Sequence, residues 1–268
     1  MYVTTTGGRI LDANPAFLRM FGVGSRAELD EYTAEQLLVQ PQRRLEERRA
    51  LAGEGAVREF EFDIRRPDGE VRTVLDTAYQ VVDERTGEIA YHGILIDITD
   101  RKELERQLFQ AALRDPLTGC YNRRFLMERE CELRRGRRSW GIVIADIDRF
   151  KDYNDLHGHE TGDRVLVRVA RFLTGEARPD DAVVRIGGDE FLVLLTGSAA
   201  RSAETVARRL HATGRERVPV GLTYGWAVRE HKEGLEDTIR RADKALFRKR
   251  ALERRSLVRR RAKKGKRV

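Results

Sequence analysis

Apolar and polar side chains alternate along much of the first hundred residues, with the period of two that is typical of half-buried β-strands. Turn sequences at residues 67–69 and 85–87 interrupt this alternation. We therefore predict three strands, at residues 57–66, 70–82 and 88–98. Before them, Asn14-Pro15 predicts a helix start, because Asn is a favoured N-cap and Pro is tolerated in the first turn. The prediction is an antiparallel meander beside small helices.

The pattern becomes helical from Asp100 onward. Leu104, Leu108 and Ala111 lie four and three residues apart, as on the seam of a coiled coil, and charged residues flank them. We predict a linker helix over residues 100–113. Pairing of this helix with the same helix of a second chain would carry a signal along the protein. The alternative is a solvated spacer helix with no role in signalling.

Strands and helices alternate in the remaining chain. The apolar run at residues 140–146 indicates a strand buried on both faces, and residues 183–186 and 191–195 indicate a hairpin. Apolar spacing predicts helices at 162–173, 203–210 and 235–250, with a further strand at 218–228. This β-α-β-β-α-β order is that of the ferredoxin-like fold of polymerase palms and nucleotide cyclases. The predicted fold class is α+β.

The net charge of +8 is a property of the end of the chain. Residues 254–268 contain nine Lys or Arg and no acid, which leaves 43 cationic and 44 acidic residues in the rest. A basic tail without aromatic residues is typically disordered and solvated. We therefore expect that the protein does not bind nucleic acid. The alternative is that this tail binds DNA or RNA.

Cysteine usage and hydropathy exclude several classes of protein. Cys120 and Cys131 form neither a CxxC pair nor a cluster with histidines, so we predict neither a disulfide framework nor a zinc site. No apolar run approaches the roughly 20 residues that a membrane helix needs, and the first residues lack the pattern of a signal peptide. We expect a cytoplasmic protein without membrane insertion.

Acidic residues at two strand ends mark the candidate chemistry. Asp146 ends the buried strand, and Asp189 and Glu190 follow the glycine pair Gly187-Gly188 of the hairpin. If these strands are neighbours, the carboxylates converge, and Mg²⁺ prefers carboxylate and phosphate oxygens. The glycines allow the backbone to approach a ligand closely. We therefore favour a two-metal site for phosphoryl transfer over a helix cap and an ordinary hairpin turn.

With these residues, positions 114–254 resemble the GGDEF family of diguanylate cyclases. The signature at residues 187–191 is intact, and its companion motifs stand at residues 115–119, 122–124, 146–151, 154–155, 158–159, 162–163 and 242–247. The resemblance implies an enzyme that condenses two GTP molecules into cyclic di-GMP and two pyrophosphates. Each domain would hold one GTP, so a homodimer is implied, in which a 3′-hydroxyl attacks the opposite α-phosphate.

The resemblance also implies roles for individual residues. Asp146, Asp189 and Glu190 would be catalytic and, with the backbone carbonyl of Ile147, would bind two Mg²⁺ ions per site, with Mn²⁺ as an alternative. Glu190 would help to deprotonate the attacking hydroxyl. The remaining substrate-binding residues would be Asn154 and Asp163 at guanine, Lys151 and the N–H groups of Arg149 and Phe150 at the phosphates, Gly187 and Gly188 at the turn, and Arg250 and Arg254 from the last helix.

Two of these assignments have specific consequences. A carboxylate accepts the two hydrogen-bond donors of guanine and disfavours adenine, so Asp163 favours GTP over ATP. The last helix departs from the family pattern, because Arg250 stands where lysine is usual, Glu253 where glycine is usual and Phe247 where tyrosine is usual. Arginine keeps the charge but changes the geometry of phosphate contacts.

Two further features resemble known elements. Arg178 and Asp181 match the family's RxxD motif, which implies inhibition by bound cyclic di-GMP, and a salt bridge within a loop is the alternative. Residues 1–99 resemble a PAS domain, through residues 10–17, 66–69 and 93–99. We predict that this domain binds no cofactor and acts as a sensor that sets how two cyclase domains meet.

We therefore predict four segments: a PAS-like sensory domain at 1–99, a helical linker at 100–113, the cyclase domain at 114–254 and a disordered basic tail at 255–268. The alternative from another class is an inactive member of the family that binds GTP or cyclic di-GMP as a receptor. The intact signature argues against it, because degenerate copies usually lose an acid or a glycine there.

Overall fold

The computed structural model describes residues 1–7, 9–32, 34–135, 139–197, 202–230 and 233–264. The chain divides into two compact units, Met1–Leu108 and Phe109–Val268. Within the described ranges, no helix is both long and apolar enough to cross a membrane.

The first unit contains a five-stranded antiparallel sheet and short helices. Its strands are β1 (Tyr2–Thr5), β2 (Ile10–Ala13), β3 (Ala56–Arg65), β4 (Val71–Val82) and β5 (Ile89–Asp97), in the order β2-β1-β5-β4-β3. Its helices are α1 (Pro15–Phe21), α2 (Arg26–Leu29), α3 (Ala34–Leu37) and α4 (Pro41–Glu54), and α5 (Thr99–Ala112) follows β5. The predicted meander of three long strands is confirmed.

Local sequence signals account for several of these boundaries. Helix α1 begins where predicted, because the Asn14 side chain accepts a hydrogen bond from the Phe17 N–H at 2.9 Å and a proline occupies the first turn. The predicted alternation along β3 holds at Phe62 and Ile64, which are buried. It is interrupted near Glu59, which has a φ of 51° where the register between β3 and β4 shifts.

The second unit is built on another five-stranded sheet. Its strands are β6 (Tyr121–Asn122), β7 (Trp140–Ile147), β8 (Ala182–Arg185), β9 (Glu190–Thr196) and β10 (Leu222–Val228), in the order β10-β7-β9-β8-β6. Its helices are α6 (Arg123–Arg135), α7 (Phe150–His157), α8 (His159–Glu176), α9 (Ala203–Arg217) and α10 (Leu235–Lys264). Strands β7 to β10 follow the predicted ferredoxin-like arrangement, and β6 adds a parallel strand beside β8.

Helices cover both faces of this sheet, and every residue of β7 is buried. Helices α8 and α9 pack on the face that includes Phe191, and α6 and α10 pack on the face that includes Trp140. Helix α10 approaches β10 so closely that a Cβ on Gly225 would lie 2.2 Å from the Ala242 carbonyl oxygen. The position of α10 against the sheet is therefore fixed by backbone contact.

Helices α6 and α10 differ most from the sequence prediction, and α9 continues past its predicted end at residue 210 to Arg217. Helix α6 has no predicted counterpart, because its many charged residues mask the buried pair Phe125 and Leu126. Helix α10 continues to Lys264, past the predicted end at residue 250 and into the segment predicted to be disordered. Since residues 251–264 contain neither Gly nor Pro and are rich in Arg, Lys, Ala and Leu, their helix propensity is high.

Candidate active site

Carboxylates from two neighbouring strands meet at one end of the sheet in the second unit. Asp146 lies opposite Glu190 in the antiparallel register of β7 and β9. Asp189 directly precedes β9, and its carbonyl accepts a hydrogen bond from the Ile147 N–H at 3.2 Å. The structure thus brings Asp146 to Asp189 and Glu190, a consecutive pair that lies far along the chain from it.

These carboxylates are poorly solvated and repel one another. Asp146 is only 5% exposed. Burial, together with the negative charges of Asp189 and Glu190, raises the pKa of Asp146 to about 6, although Arg250 opposes the shift. Burial, with the charges of Asp189 and Asp243, also raises the pKa of Glu190. A positive charge at this cluster would therefore be stabilising.

The chemistry of the donor set fits a divalent cation. Hard cations prefer carboxylate and carbonyl oxygens, which Asp146, Asp189, Glu190 and the backbone of Ile147 offer at the ends of two strands. Among the residues that the structure describes, no three His, Cys, Asp or Glu side chains are gathered into a ready-made metal centre. Instead, Arg250 of α10 supplies a positive charge, since its Nη2 donates to Oδ1 of Asp146.

The residues predicted on the last helix lie in different surroundings. Arg250, predicted at the phosphates, contacts Asp146 and lies 4.0 Å from Oδ1 of Asp148. The side chains of Glu253 and Arg254 lie outside the described residues. Phe247 is 72% exposed on the surface of α10.

The residues predicted to bind guanine lie on α7 and α8. Asn154 packs so tightly against Gly162 that a Cβ at position 162 would lie 1.8 Å from Oδ1 of Asn154. This oxygen is buried and accepts no hydrogen bond from the described residues. Asp163 follows Gly162 and is exposed. A buried acceptor of this kind is well suited to a donor group of a ligand.

The predicted phosphate-binding segment forms the start of α7. Arg149 precedes the helix with a φ of 54°, in the left-handed region, and turns the chain away from β7. The N–H of Phe150 and the exposed Lys151 follow in the first turn, where helix amides favour anions. Asp148 is held in place from β10, because the Thr223 hydroxyl donates to its Oδ1 at 2.6 Å.

Arg185 is a residue that the sequence analysis missed. Its Nη1 donates to the two carboxylate oxygens of Asp115 at 3.1 and 3.2 Å, and its Nη2 donates to the Gly188 carbonyl at 2.7 Å. Asp115 also accepts hydrogen bonds from the N–H and hydroxyl of Thr118, at 2.9 and 2.6 Å. These bonds connect the glycine turn to the beginning of the second unit. Asp115 belongs to the motif at residues 115–119 and Arg185 lies just before the glycine pair, but nothing in their spacing indicates that they pair.

Arg178 and Asp181 lie together in the turn before β8. The Arg178 N–H donates to Oδ2 of Asp181 at 3.2 Å, and Oδ1 of Asp181 accepts a hydrogen bond from the Thr196 N–H at 3.1 Å. With Arg114 and Arg171, they line a cavity of about 700 Å³. A cavity of this size lies within the usual range for small-molecule sites.

Comparisons with known proteins match a family model to each of two segments of the chain. Residues 112–256 match the family model for the diguanylate cyclase GGDEF domain, and residues 1–100 match a PAS domain model. Diguanylate cyclase DgcM of Escherichia coli strain K12 is 32% identical over 252 residues, which cover 90% of this chain and 60% of that protein. A diguanylate cyclase of Vibrio cholerae serotype O1 is 29% identical over 267 residues, covering 92% of this chain and 81% of that protein.

The chain spans about 60% of the length of DgcM, the first of these relatives. Among solved structures, the coiled coil and GGDEF domain of DgcB from Caulobacter crescentus, in complex with c-di-GMP, is 28% identical with a TM-score of 0.51. That match covers 56% of this chain and 86% of the DgcB chain. Because the GGDEF model matches more than half of its residues, the chain belongs to the diguanylate cyclase family that is defined by this domain.

Proposed function

We propose that the protein is a diguanylate cyclase that condenses two GTP molecules into cyclic di-GMP and two pyrophosphates. The observation that carries the proposal is the pairing of Asp146 with Glu190 in the register of β7 and β9, beside Asp189. The buried Asp146 and the half-buried Glu190, both with a raised pKa, favour a bound cation, and hence a triphosphate. Membership of the family supports the same reaction.

The carboxylates would serve metal binding and proton transfer. Two divalent cations, Mg²⁺ or Mn²⁺, would be held by Asp146, Asp189, Glu190 and the Ile147 carbonyl and, when bound, would neutralise charge on the reacting phosphates. Glu190, whose pKa is raised by burial, is suited to accept the proton of the attacking 3′-hydroxyl.

The substrate would be oriented by residues on α7, α8 and α10. Asp163 would accept the N1–H and one amino hydrogen of guanine, and the buried, unsatisfied oxygen of Asn154 would accept the second amino hydrogen. The phosphates would be bound by Lys151, the N–H groups of Arg149 and Phe150, and the side chains of Arg250 and Arg254, with Gly187 and Gly188 allowing close approach of the backbone.

The reaction needs two copies of the chain, because each domain would hold one GTP. Helix α5 exposes 56% of Leu104 and 62% of Leu108, at a spacing that suits pairing with the same helix of a second copy. We propose that the PAS unit controls this pairing, and so the effective concentration of one bound GTP relative to the other. Free thiols at Cys120 and Cys131 favour a reducing cytoplasm as the location.

Product inhibition would act through Arg178 and Asp181. Arginine binds phosphate oxygens and the Hoogsteen edge of guanine, both of which cyclic di-GMP presents. The adjoining cavity of about 700 Å³ supports this assignment.

Product analysis tests the proposed reaction directly. The full chain, incubated with GTP and Mg²⁺, is expected to form cyclic di-GMP that mass spectrometry identifies. Asp189→Ala should abolish this product, whereas Asp237→Ala, at an exposed acid on α10, should retain it. A folded wild-type protein that binds GTP but forms no cyclic di-GMP would contradict the proposal and favour a receptor.

A further inference from the structure

Arg250 contacts the candidate metal site from a different part of the fold. Its Nη2 donates to Oδ1 of Asp146, which lies 104 positions earlier in the chain, and 32% of its side chain is exposed. Among the described residues, no other Lys or Arg forms a salt bridge with Asp146, and none forms one with Asp189 or Glu190. Arg250 is therefore the counter-ion of this cluster in the described structure.

The contact uses Oδ1 of Asp146, one of the two carboxylate oxygens that this residue could offer to a metal ion. A carboxylate oxygen that accepts a guanidinium hydrogen bond cannot at the same time coordinate a cation along that direction, because the two positive groups would overlap and repel. Leaving Asp146 buried with neither partner is costly as well. The contact leaves Oδ2 of Asp146 open, but a guanidinium and a divalent cation at one buried carboxylate repel each other, so each weakens the binding of the other.

The exchange between them requires movement of a side chain only. The backbone of α10 is fixed against β10, since a Cβ on Gly225 would lie 2.2 Å from the Ala242 carbonyl oxygen and 2.6 Å from Cβ of Leu246. The long, partly exposed Arg250 side chain can rotate without moving the helix. When it leaves Asp146, its guanidinium stays near the site where a nucleotide would place its phosphates.

We infer that Arg250 is an exchangeable counter-ion, which holds Asp146 in the nucleotide-free protein and passes to the phosphates when a divalent cation takes its place. The inference rests on the proposed function for the identity of the nucleotide. It has a thermodynamic consequence: Arg250 weakens metal binding without nucleotide and couples the two ligands when both are present.

Metal binding by the nucleotide-free full chain tests the inference. Mn²⁺ is the probe, and its free concentration is followed by electron paramagnetic resonance during titration of wild type, Arg250→Gln, Arg250→Lys and Arg248→Gln. The control Arg248 is an exposed cation on the same helix, so its variant loses the same charge. We expect Arg250→Gln to bind Mn²⁺ about tenfold more tightly than wild type, and Arg248→Gln to stay within about twofold.

Two outcomes would overturn the inference. One is an unchanged or lower Mn²⁺ affinity in Arg250→Gln, and the other is an equal gain in Arg248→Gln, which would indicate a general charge effect. A non-hydrolysable GTP analogue should raise the Mn²⁺ affinity of wild type by a larger factor than that of Arg250→Gln. If Arg250→Gln fails to fold, Arg250→Lys replaces it, with a smaller gain expected because lysine lacks the planar fork. The titration involves no turnover, so it separates failure of this inference from failure to form cyclic di-GMP.

Discussion

Replacing Gly162 by alanine would place a methyl group where the Asn154 side chain lies. The added Cβ would be 1.8 Å from Oδ1 of Asn154, 2.9 Å from its Cγ and 3.2 Å from the ring of Phe150. Ordinary contact begins near 3.4 Å, so Oδ1 must move by about 1.6 Å. Because the obstructing atom is the end of a side chain, rotation of Asn154 can relieve the clash without unfolding the unit.

In Gly162→Ala, we expect the loss of the hydrogen bond between Asn154 and guanine. A hydrogen bond tolerates only a few tenths of an ångström in length, so a shift of this size breaks it. Leaving a buried polar group unsatisfied costs about 1–3 kcal/mol, which corresponds to a roughly 5- to 150-fold weaker affinity for GTP. Gly175 provides the matched control on the same helix, because a Cβ there meets nothing within 4 Å.

Calorimetric titration with a non-hydrolysable GTP analogue measures this loss, and thermal denaturation reports on the fold. Gly162→Ala should bind the analogue at least fivefold more weakly with little change in thermal midpoint. Gly175→Ala should bind it as wild type does and be equally or more stable, since alanine favours helices over glycine by up to about 1 kcal/mol. Wild-type affinity in Gly162→Ala would refute the assignment of Asn154 to guanine.

Four further predictions rest on the groups and contacts described above. Protons compete with metal for Asp146, so Mn²⁺ affinity should fall as pH drops through about 6, and Asp146→Asn should reduce this dependence to the part that Glu190 contributes. Folding raises the pKa of Asp146 and so favours its protonated form. The contribution of Asp146 to the free energy of unfolding should therefore decrease as pH rises from about 4 to about 6, which chemical denaturation at several pH values would measure. Arg185→Lys keeps the charge but cannot bind Asp115 and the Gly188 carbonyl together, so kcat should fall about tenfold. The control Arg217→Lys, at a surface ion pair, should leave kcat unchanged. Asn14→Ala removes the cap of α1 and should lower the stability of the first unit by about 1 kcal/mol in urea denaturation, and Asn14→Ser should restore most of it.

Local and periodic features of the fold are determined by the sequence itself. The cap at Asn14, the buried strand at β7 and the glycine turn at Gly187 are each specified by residues a few positions apart, so propensity and alternation are enough to predict them. The same holds for the identity of the acids at the strand ends. The end of α10 was harder to predict, because charged residues conceal a high helix propensity.

Only the tertiary structure decides which of these residues meet. The order of the sheet puts β9 beside β7 and thereby Glu190 opposite Asp146. The packing of α10 on β10 brings Arg250 to Asp146 across 104 positions, and the pairing of β6 with β8 brings Asp115 to Arg185 across 70. The physical reason is that periodicity along a chain specifies which face of an element is buried, whereas the partner of a long side chain depends on the distance and angle between packed elements.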